Sequence, residues 1–185
     1  QEILGVRLDR RPVKDTGFGL VYGLGTLGLA KKLGQSRDEA QRLRDAYLRA
    51  MPGLKVLGDN MKARAAANAP IRTWGGREYY CEPPAVIDGR IRTFEYKLIN
   101  VLIQGSAADC TKEALARYWE AGPRKHGARF LLTVHDETVA DAPRAQAAAA
   151  MRLLRETMES VELDVPMLSD GKIGATWARL KKFDD

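Results

Sequence analysis

Two neighbouring carboxylates, Asp136 and Glu137, follow His135 between two apolar runs. Residues 128–134 predict a buried strand and residues 138–142 its partner, so the acidic residues fall at a hairpin tip. A carboxylate that two strands hold in an exposed turn can ligate a hard cation such as Mg²⁺. A two-metal site needs at least one further carboxylate from elsewhere. The plainer alternative is a turn of polar residues.

A second set of candidate residues repeats every four positions: Arg10, Lys14, Phe18 and Tyr22. In a helix these four side chains form one stripe that spans about 18 Å. Two cations come first and two aromatic rings follow, which is the order of the triphosphate, sugar and base in a nucleotide. Cations near a helix N-terminus bind phosphates, and aromatic rings stack on bases. The alternative is a surface helix whose Phe18 and Tyr22 face the core.

Two amides, Asn100 and Gln104, lie one helical turn apart on one face of a predicted helix. The minor groove of DNA offers hydrogen-bond acceptors at nearly the same place for every base pair. Amides placed there would test base-pair geometry without reading sequence. The alternative is an amide pair that loop backbone satisfies.

The glycines Gly23, Gly25 and Gly28 match the dinucleotide-binding pattern G-x-G-x-x-G. That pattern should follow a strand and precede an acidic residue about 20 positions later. Here it follows a helical stripe, and position 48 is Leu48. We therefore predict a turn between two helices.

The charge distribution favours a polyanionic partner. The chain has 185 residues and a formal net charge of +6. Residues 1–97 hold 18 basic and 11 acidic side chains, whereas residues 98–185 hold 12 and 13. A basic half suggests one face for nucleic acid or nucleotide phosphate, although a solvated surface would look similar. Two cysteines exclude a disulfide scaffold, and no apolar run is long enough to predict a membrane span.

The remaining pattern predicts an α+β fold, with helices ahead of and around a small antiparallel sheet. Helical spacing covers residues of about 10–57, 94–121 and 144–161. The proline- and glycine-rich residues 69–90 predict short strands and loops.

In this order, the segments resemble the C-terminal part of the polymerase domain of family A DNA polymerases, the DNA polymerase I type. Residues 10–23 (Arg-Arg-x-x-Lys-x-x-x-Phe-Gly-x-x-Tyr-Gly) are similar to motif B, the fingers helix that carries the incoming nucleotide. Residues 134–137 (Val-His-Asp-Glu) are similar to motif C of the palm. Residues 100–109 (Asn-x-x-x-Gln-Gly-x-Ala-Ala-Asp) resemble the palm helix that touches the minor groove. Residues 73–77 (Thr-x-x-Gly-Arg) also match in order, between residues 10–23 and residues 100–109.

The resemblance implies a role for each residue of the stripe. Arg10 and Lys14 would bind the triphosphate, and Lys14 would also assist catalysis. Phe18 would pack on the sugar, and Tyr22 would lie beside the templating base.

The resemblance also implies the metal and DNA contacts. Asp136 would hold catalytic Mg²⁺, with Glu137 beside it in a lesser role. His135 would contact the primer end. The other implied DNA contacts are Asn100, Gln104 and Arg77.

By resemblance, the chain would be a DNA-directed DNA polymerase that works by two-metal nucleotidyl transfer from a dNTP to a primer 3′-hydroxyl. Residues 1–68 would belong to the fingers and residues 69–185 mainly to the palm. Primer-template DNA and dNTP would be its partners, with no membrane. The implied location is the cytoplasm of a bacterial cell or of a phage-infected host, because residues 104–109 resemble phage members.

Three departures qualify the likeness. Gly17 stands where the family often has asparagine, and Tyr96 stands where it often has arginine, next to Lys97. Motif A, with the other metal-binding aspartate, and the thumb have no counterpart in the nine residues before Arg10. The second carboxylate is therefore expected from an upstream segment or a second polypeptide. A non-catalytic primer-template-binding subunit, or a relic, is the competing function.

Overall fold

The computed structural model describes the backbone of residues 10–184 and the side chains of residues 16–184. Within these bounds, four α-helices come first and two short antiparallel strand pairs follow, and each of the last two helices is then followed by one further strand pair. The helices are α1 (Arg10–Val21), α2 (Thr26–Leu33), α3 (Arg37–Ala50), α4 (Pro52–Ala66), α5 (Tyr96–Glu120) and α6 (Ala147–Glu159). The strands are β1 (Ile71–Arg72), β2 (Glu78–Tyr79), β3 (Ala85–Ile87), β4 (Arg90–Arg92), β5 (Arg129–Val134), β6 (Glu137–Asp141), β7 (Lys172–Ile173) and β8 (Lys181–Lys182). Each strand pairs only with its neighbour in these residues.

The first core lies among α1, α2 and α3. Leu20, Leu29 and Ala40 are buried against one another, one from each helix. Gly23 and Gly25 occupy the turn between α1 and α2, so a helix and not a strand precedes the glycine pattern. The predicted helix–helix turn is confirmed.

The starts of α3 and α4 follow from local sequence. The Ser36 hydroxyl accepts a hydrogen bond from the Glu39 backbone N–H, and the Glu39 carboxylate accepts one from the Ser36 N–H. This capping box satisfies amides that the first helical turn leaves without partners. Pro52 opens α4, where its missing N–H costs nothing.

A second core joins α4, β1 and the start of α5. Met61, Ile71 and Leu98 are buried together, one from each of these elements. Tyr79 of β2 packs against them from the paired strand. This core packs the β1–β2 hairpin against α4 and α5. Short strands joined by loops are what the proline- and glycine-rich residues 69–90 predicted.

A third core forms around the second half of α5. Cys110 and Ala114 are buried against Val161, which follows α6. Tyr118, one turn further along α5, is almost completely buried. The long helix predicted over residues 94–121 is confirmed to within two residues.

The hairpin of β5 and β6 corrects one prediction. Both strands form where the sequence predicted them, but β5 is exposed rather than buried. The side chains of Phe130, Leu131, Leu132 and Val134 are between 38% and 48% exposed. The reason is that, in the described part of the chain, β5 pairs only with β6, so no other strand or helix covers its apolar side chains.

Contacts divide the chain into two compact units, residues 1–104 and residues 105–185. The boundary falls inside α5. The assignment of residues 1–68 to fingers and 69–185 to palm stays a prediction. The α+β class with small antiparallel sheets is confirmed, and no described helix is long and apolar enough to cross a membrane.

Candidate active site

The acidic turn lies between β5 and β6. Val134 pairs with Glu137, which leaves His135 and Asp136 as a two-residue connection. His135 has a φ of 55°, in the left-handed region. All three turn side chains, those of His135, Asp136 and Glu137, are exposed. The predicted placement of Asp136 at a hairpin tip is therefore confirmed.

Glu137 is held by a distant aromatic residue. The indole Nε1 of Trp177 donates a hydrogen bond to Glu137 Oε1 at 2.9 Å. Trp177 belongs to a 3₁₀-helix, Trp177–Arg179, between β7 and β8. Sequence reasoning assigned no functional role to Trp177, because one tryptophan far along the chain carries no spacing signal.

The donor set of the turn fits a hard cation. Asp136 and Glu137 are adjacent and offer carboxylate oxygens, the ligands that Mg²⁺ prefers, and Mg²⁺ often takes only one or two of them beside phosphate and water. No cluster of three or more metal-ligating side chains occurs among the residues whose side chains are described. The turn therefore offers two carboxylates that could ligate a divalent cation together with other ligands.

In the aromatic half of the stripe, Phe18 is exposed to solvent and Tyr22 is half-buried. The rings of Phe18 and Tyr22 lie nearly parallel, at an interplanar angle of 10° and 6.1 Å between centroids. Phe18 is 48% exposed, whereas Thr16 and Leu20, on the other face of α1, are buried. The alternative in which Phe18 faces the core is therefore wrong.

The cationic half of the stripe is described only in part. Arg10 and Lys14 belong to α1. Their side chains lie outside the described residues, so their expected contact with a triphosphate stays a prediction.

One hydrogen bond joins the stripe to the amide pair. Gln104 Nε2 donates to Tyr22 Oη at 2.6 Å, across 82 residues of chain. Asn100, one turn earlier on α5, is exposed. The sequence placed Tyr22 and Gln104 in separate motifs, and their contact could not be read from either one.

Gly17 leaves room for Tyr47 of α3. A Cβ at Gly17 would lie 3.3 Å from Tyr47 Oη, closer than an ordinary contact. The departure from asparagine at this position thus coincides with a phenol packed against the α1 backbone.

Arg77 lies in the loop between β1 and β2. The loop is closed by two hydrogen bonds with Thr73. The Thr73 N–H donates to Arg77 O at 3.0 Å, and the Arg77 N–H donates to the Thr73 side-chain Oγ1 at 3.2 Å. Because Thr73 is buried, the backbone at Arg77 is fixed while its side chain lies on the surface.

Lys97 is engaged within the protein. Its ammonium donates to both oxygens of Glu82, at 2.8 and 2.9 Å, and lies 4.4 Å from the centre of the Phe94 ring. The hydrogen bonds raise the pKa of Lys97 and hold the pKa of the Glu82 carboxyl below its usual range. Tyr96 is exposed beside it. Neither residue therefore presents a free cation in place of the missing arginine.

Comparison of the sequence with known protein families gives a match over nearly the whole chain. The sequence model of DNA polymerase family A matches residues 5–179. This chain belongs to DNA polymerase family A. The resemblance stated from motifs B and C is thereby confirmed.

Two of the curated relatives are bacterial DNA polymerases I. DNA polymerase I of Streptococcus pneumoniae is 36% identical over 176 residues, which is 94% of this chain and 20% of that protein. DNA polymerase I of Geobacillus stearothermophilus is 36% identical over 174 residues, 91% of this chain and 20% of that protein. The chain thus spans about a fifth of the length of the curated relatives that it matches.

A solved structure of family A has the same fold. The POL domain of Pol1 from M. smegmatis, in complex with DNA primer-template and dNTP, superposes with a TM-score of 0.74 at 32% identity. The match covers 85% of this chain and 28% of that one.

Proposed function

We propose that this chain is the fingers-and-palm part of a DNA-directed DNA polymerase, which extends a primer 3′-hydroxyl with dNTPs along a template. Residues 1–68 would form fingers and residues 69–185 mainly palm. It would work in the cytoplasm of a bacterial cell or a phage-infected host. One observation carries the proposal: the match to DNA polymerase family A spans residues 5–179, which include the exposed His135–Asp136 turn that resembles motif C.

The stripe on α1 would bind the incoming nucleotide. Arg10 and Lys14 are placed near the N-terminus of α1, where cations and the helix dipole both attract phosphate. Phe18 would pack on the sugar, and Tyr22 would lie beside the templating base. The parallel rings of Phe18, which is exposed, and Tyr22, which is half-buried, support this role, because flat surfaces of this kind accept a sugar and a base.

The amide pair would contact the primer-template duplex. An amide nitrogen carries two hydrogens, and Gln104 uses one of them on Tyr22. The second can meet an acceptor in the minor groove without breaking that bond. Asn100 would follow the same groove, Arg77 would contact DNA from the β1–β2 loop, and His135 would contact the primer end.

The acidic turn would hold the metal. Asp136 would be the main ligand and Glu137 a weaker one, and the second main carboxylate would come from motif A in an upstream segment or second polypeptide. Mg²⁺ bound there would neutralise phosphate charge and favour the deprotonated primer hydroxyl. The residues of this chain would align the primer 3′-oxygen for attack on the α-phosphorus of the dNTP, with pyrophosphate leaving.

Primer extension tests the proposal directly. The assay uses Mg²⁺ and all four dNTPs, first with this chain alone and then with the polypeptide encoded upstream in the same genome. Activity in the mixture and not in the chain alone is the expected result. Activity of the chain alone would mean that another acidic side chain completes the site. No activity in either would overturn the catalytic proposal.

A non-catalytic primer-template-binding subunit is the second candidate function. The set of Arg10, Lys14, Phe18 and Tyr22 argues against it, because a protein that only holds DNA has no use for a triphosphate site. Lys14→Ala should weaken dNTP use about 10- to 100-fold, the cost of a charged hydrogen bond, with little change in DNA affinity. The exposed Lys31→Ala is the matched control, and equal losses in dNTP and DNA binding would favour the binding subunit.

A further inference from the structure

Trp177 is held in place by the backbone around it rather than by burial. Its side chain is 54% exposed, so packing does not account for its position. The 3₁₀-helix that carries it is closed by a hydrogen bond from Arg179 N–H to Thr176 O at 2.9 Å. A short strand pair flanks the helix, with Ile173 opposite Lys181. The indole is therefore presented on a closed loop.

Gly174 makes this loop possible. A Cβ at Gly174 would lie 2.1 Å from the Arg179 carbonyl oxygen and 2.8 Å from its carbon. These neighbours are backbone atoms, which cannot turn aside as a flexible side chain can. The loop that presents Trp177 therefore requires glycine at this position.

The hydrogen bond to Glu137 uses the only polar group of the indole. An indole has one N–H and no acceptor, whereas a carboxylate accepts through two oxygens. The bond at 2.9 Å fixes Oε1 of Glu137 and thereby limits the rotation of the carboxylate. Oε2 is left to serve as a ligand beside Asp136.

We propose that Trp177 is a positioning residue for the metal site of the acidic turn. It orients Glu137 so that its second oxygen and the Asp136 carboxylate can bind one divalent cation. This inference rests on the proposed function, and it assigns the orientation of the weaker ligand to a residue forty positions away. Partners that orient a ligand in this way commonly change metal affinity by 10- to 100-fold.

Two other roles for an exposed tryptophan give different results. A base-stacking platform would change DNA affinity and leave metal affinity unaltered. A structural tie between the β5–β6 hairpin and the C-terminal loop would change stability alone. Metal affinity measured on the folded chain separates both from positioning.

The contact itself can be observed by NMR of the chain labelled with ¹⁵N at the tryptophan indoles. The chain has three tryptophans, so Trp177→Phe assigns its signal by loss of one peak. Glu137→Ala should shift that signal, and Glu137→Gln should restore most of the original position because glutamine Oε1 still accepts. Substoichiometric Mn²⁺ should broaden the Trp177 signal before those of Trp74 and Trp119.

The consequence for the metal is measured by Mn²⁺ titration with electron paramagnetic resonance. Trp177→Phe should weaken Mn²⁺ binding by about tenfold. The same change in a Glu137→Ala background should add nothing, since the residue that it orients is gone. Trp119→Phe, at another exposed tryptophan, is the matched control and should leave the affinity unaltered.

Each failure has its own signature. Unchanged Mn²⁺ affinity in folded Trp177→Phe overturns the positioning role, and a loss of DNA affinity in its place assigns base stacking. If the Trp177 indole signal does not shift in Glu137→Ala, the two side chains are not in contact and the inference is wrong. If the wild-type chain binds no Mn²⁺ even with the upstream polypeptide present, the metal site of the proposed function fails and the inference fails with it.

Discussion

At His135 the backbone adopts the left-handed conformation, which costs free energy for any residue other than glycine. Its φ of 55° costs on the order of 1–3 kcal/mol. The ladder between Val134 and Glu137 closes directly around the turn and holds it in this state. Strain of this kind collects where a side chain must point in one direction. Here the strained residue directly precedes Asp136.

Asp136 is the residue whose loss should cost the most. Asp136→Asn keeps the size and removes the charge, so extension by the assembled polymerase should fall by at least about a hundredfold. Single-turnover primer extension measures this loss, and fluorescence anisotropy should show nearly unchanged DNA affinity. Asp141→Asn, at the far end of the same hairpin, is the control for a lost negative charge. Near-wild-type extension by Asp136→Asn would exclude the metal role.

At the scale of elements, α1 and α5 are joined by the bond between Tyr22 and Gln104. Removing either partner, by Tyr22→Phe or Gln104→Ala, should lower the free energy of unfolding, and the two losses should not add. We expect a coupling of about 0.5–1 kcal/mol, the net worth of one hydrogen bond. Urea denaturation of the four-member cycle measures it. A parallel cycle of Tyr22→Phe with Asn100→Ala should be additive, and additivity in both cycles would contradict the link.

Gly17 lowers the intrinsic stability of α1 and leaves space for the Tyr47 hydroxyl of α3. Glycine inside a helix is about 1 kcal/mol worse than alanine, but a Cβ would crowd the Tyr47 hydroxyl at 3.3 Å. Gly17→Ala should therefore stabilise the chain more in a Tyr47→Phe background than alone, by about 0.5–1 kcal/mol. Thermal melting of the four variants shows this, and an equal gain in both backgrounds would mean that the phenol imposes no constraint.

Most elements were predictable because their signals are local. The four-residue spacing of α1, the glycines after it and the apolar run of β5 each depend on neighbours in the chain. The exposure of β5 was not predictable, because Phe130 and Leu132 reveal that a strand is apolar but not what covers it. Trp177 was missed for a related reason: its partner Glu137 lies forty residues away, and one exposed tryptophan leaves no periodic pattern.

At the scale of the whole molecule, the sheet that carries the acidic turn has only two strands in the described residues. An upstream segment that supplies motif A would supply the surface that β5 lacks. Hydrogen exchange with and without the upstream polypeptide should then show β5 amides protected at least about tenfold on addition, since new pairing closes their exposed positions. The α3 amides, in a separate core, are the internal control. Equal exchange of β5 in both samples would place the partner elsewhere.

The same exposed strand has a consequence for how the chain behaves at high concentration. From Phe130 to Val134 it has five residues without charge, proline or glycine, in an extended conformation. Segments of this composition stack on identical copies and nucleate cross-β aggregates. The charged Arg129 and Asp136 flank the run and act as gatekeepers against such stacking. Neutralising Arg129 should therefore raise the tendency of this strand to aggregate.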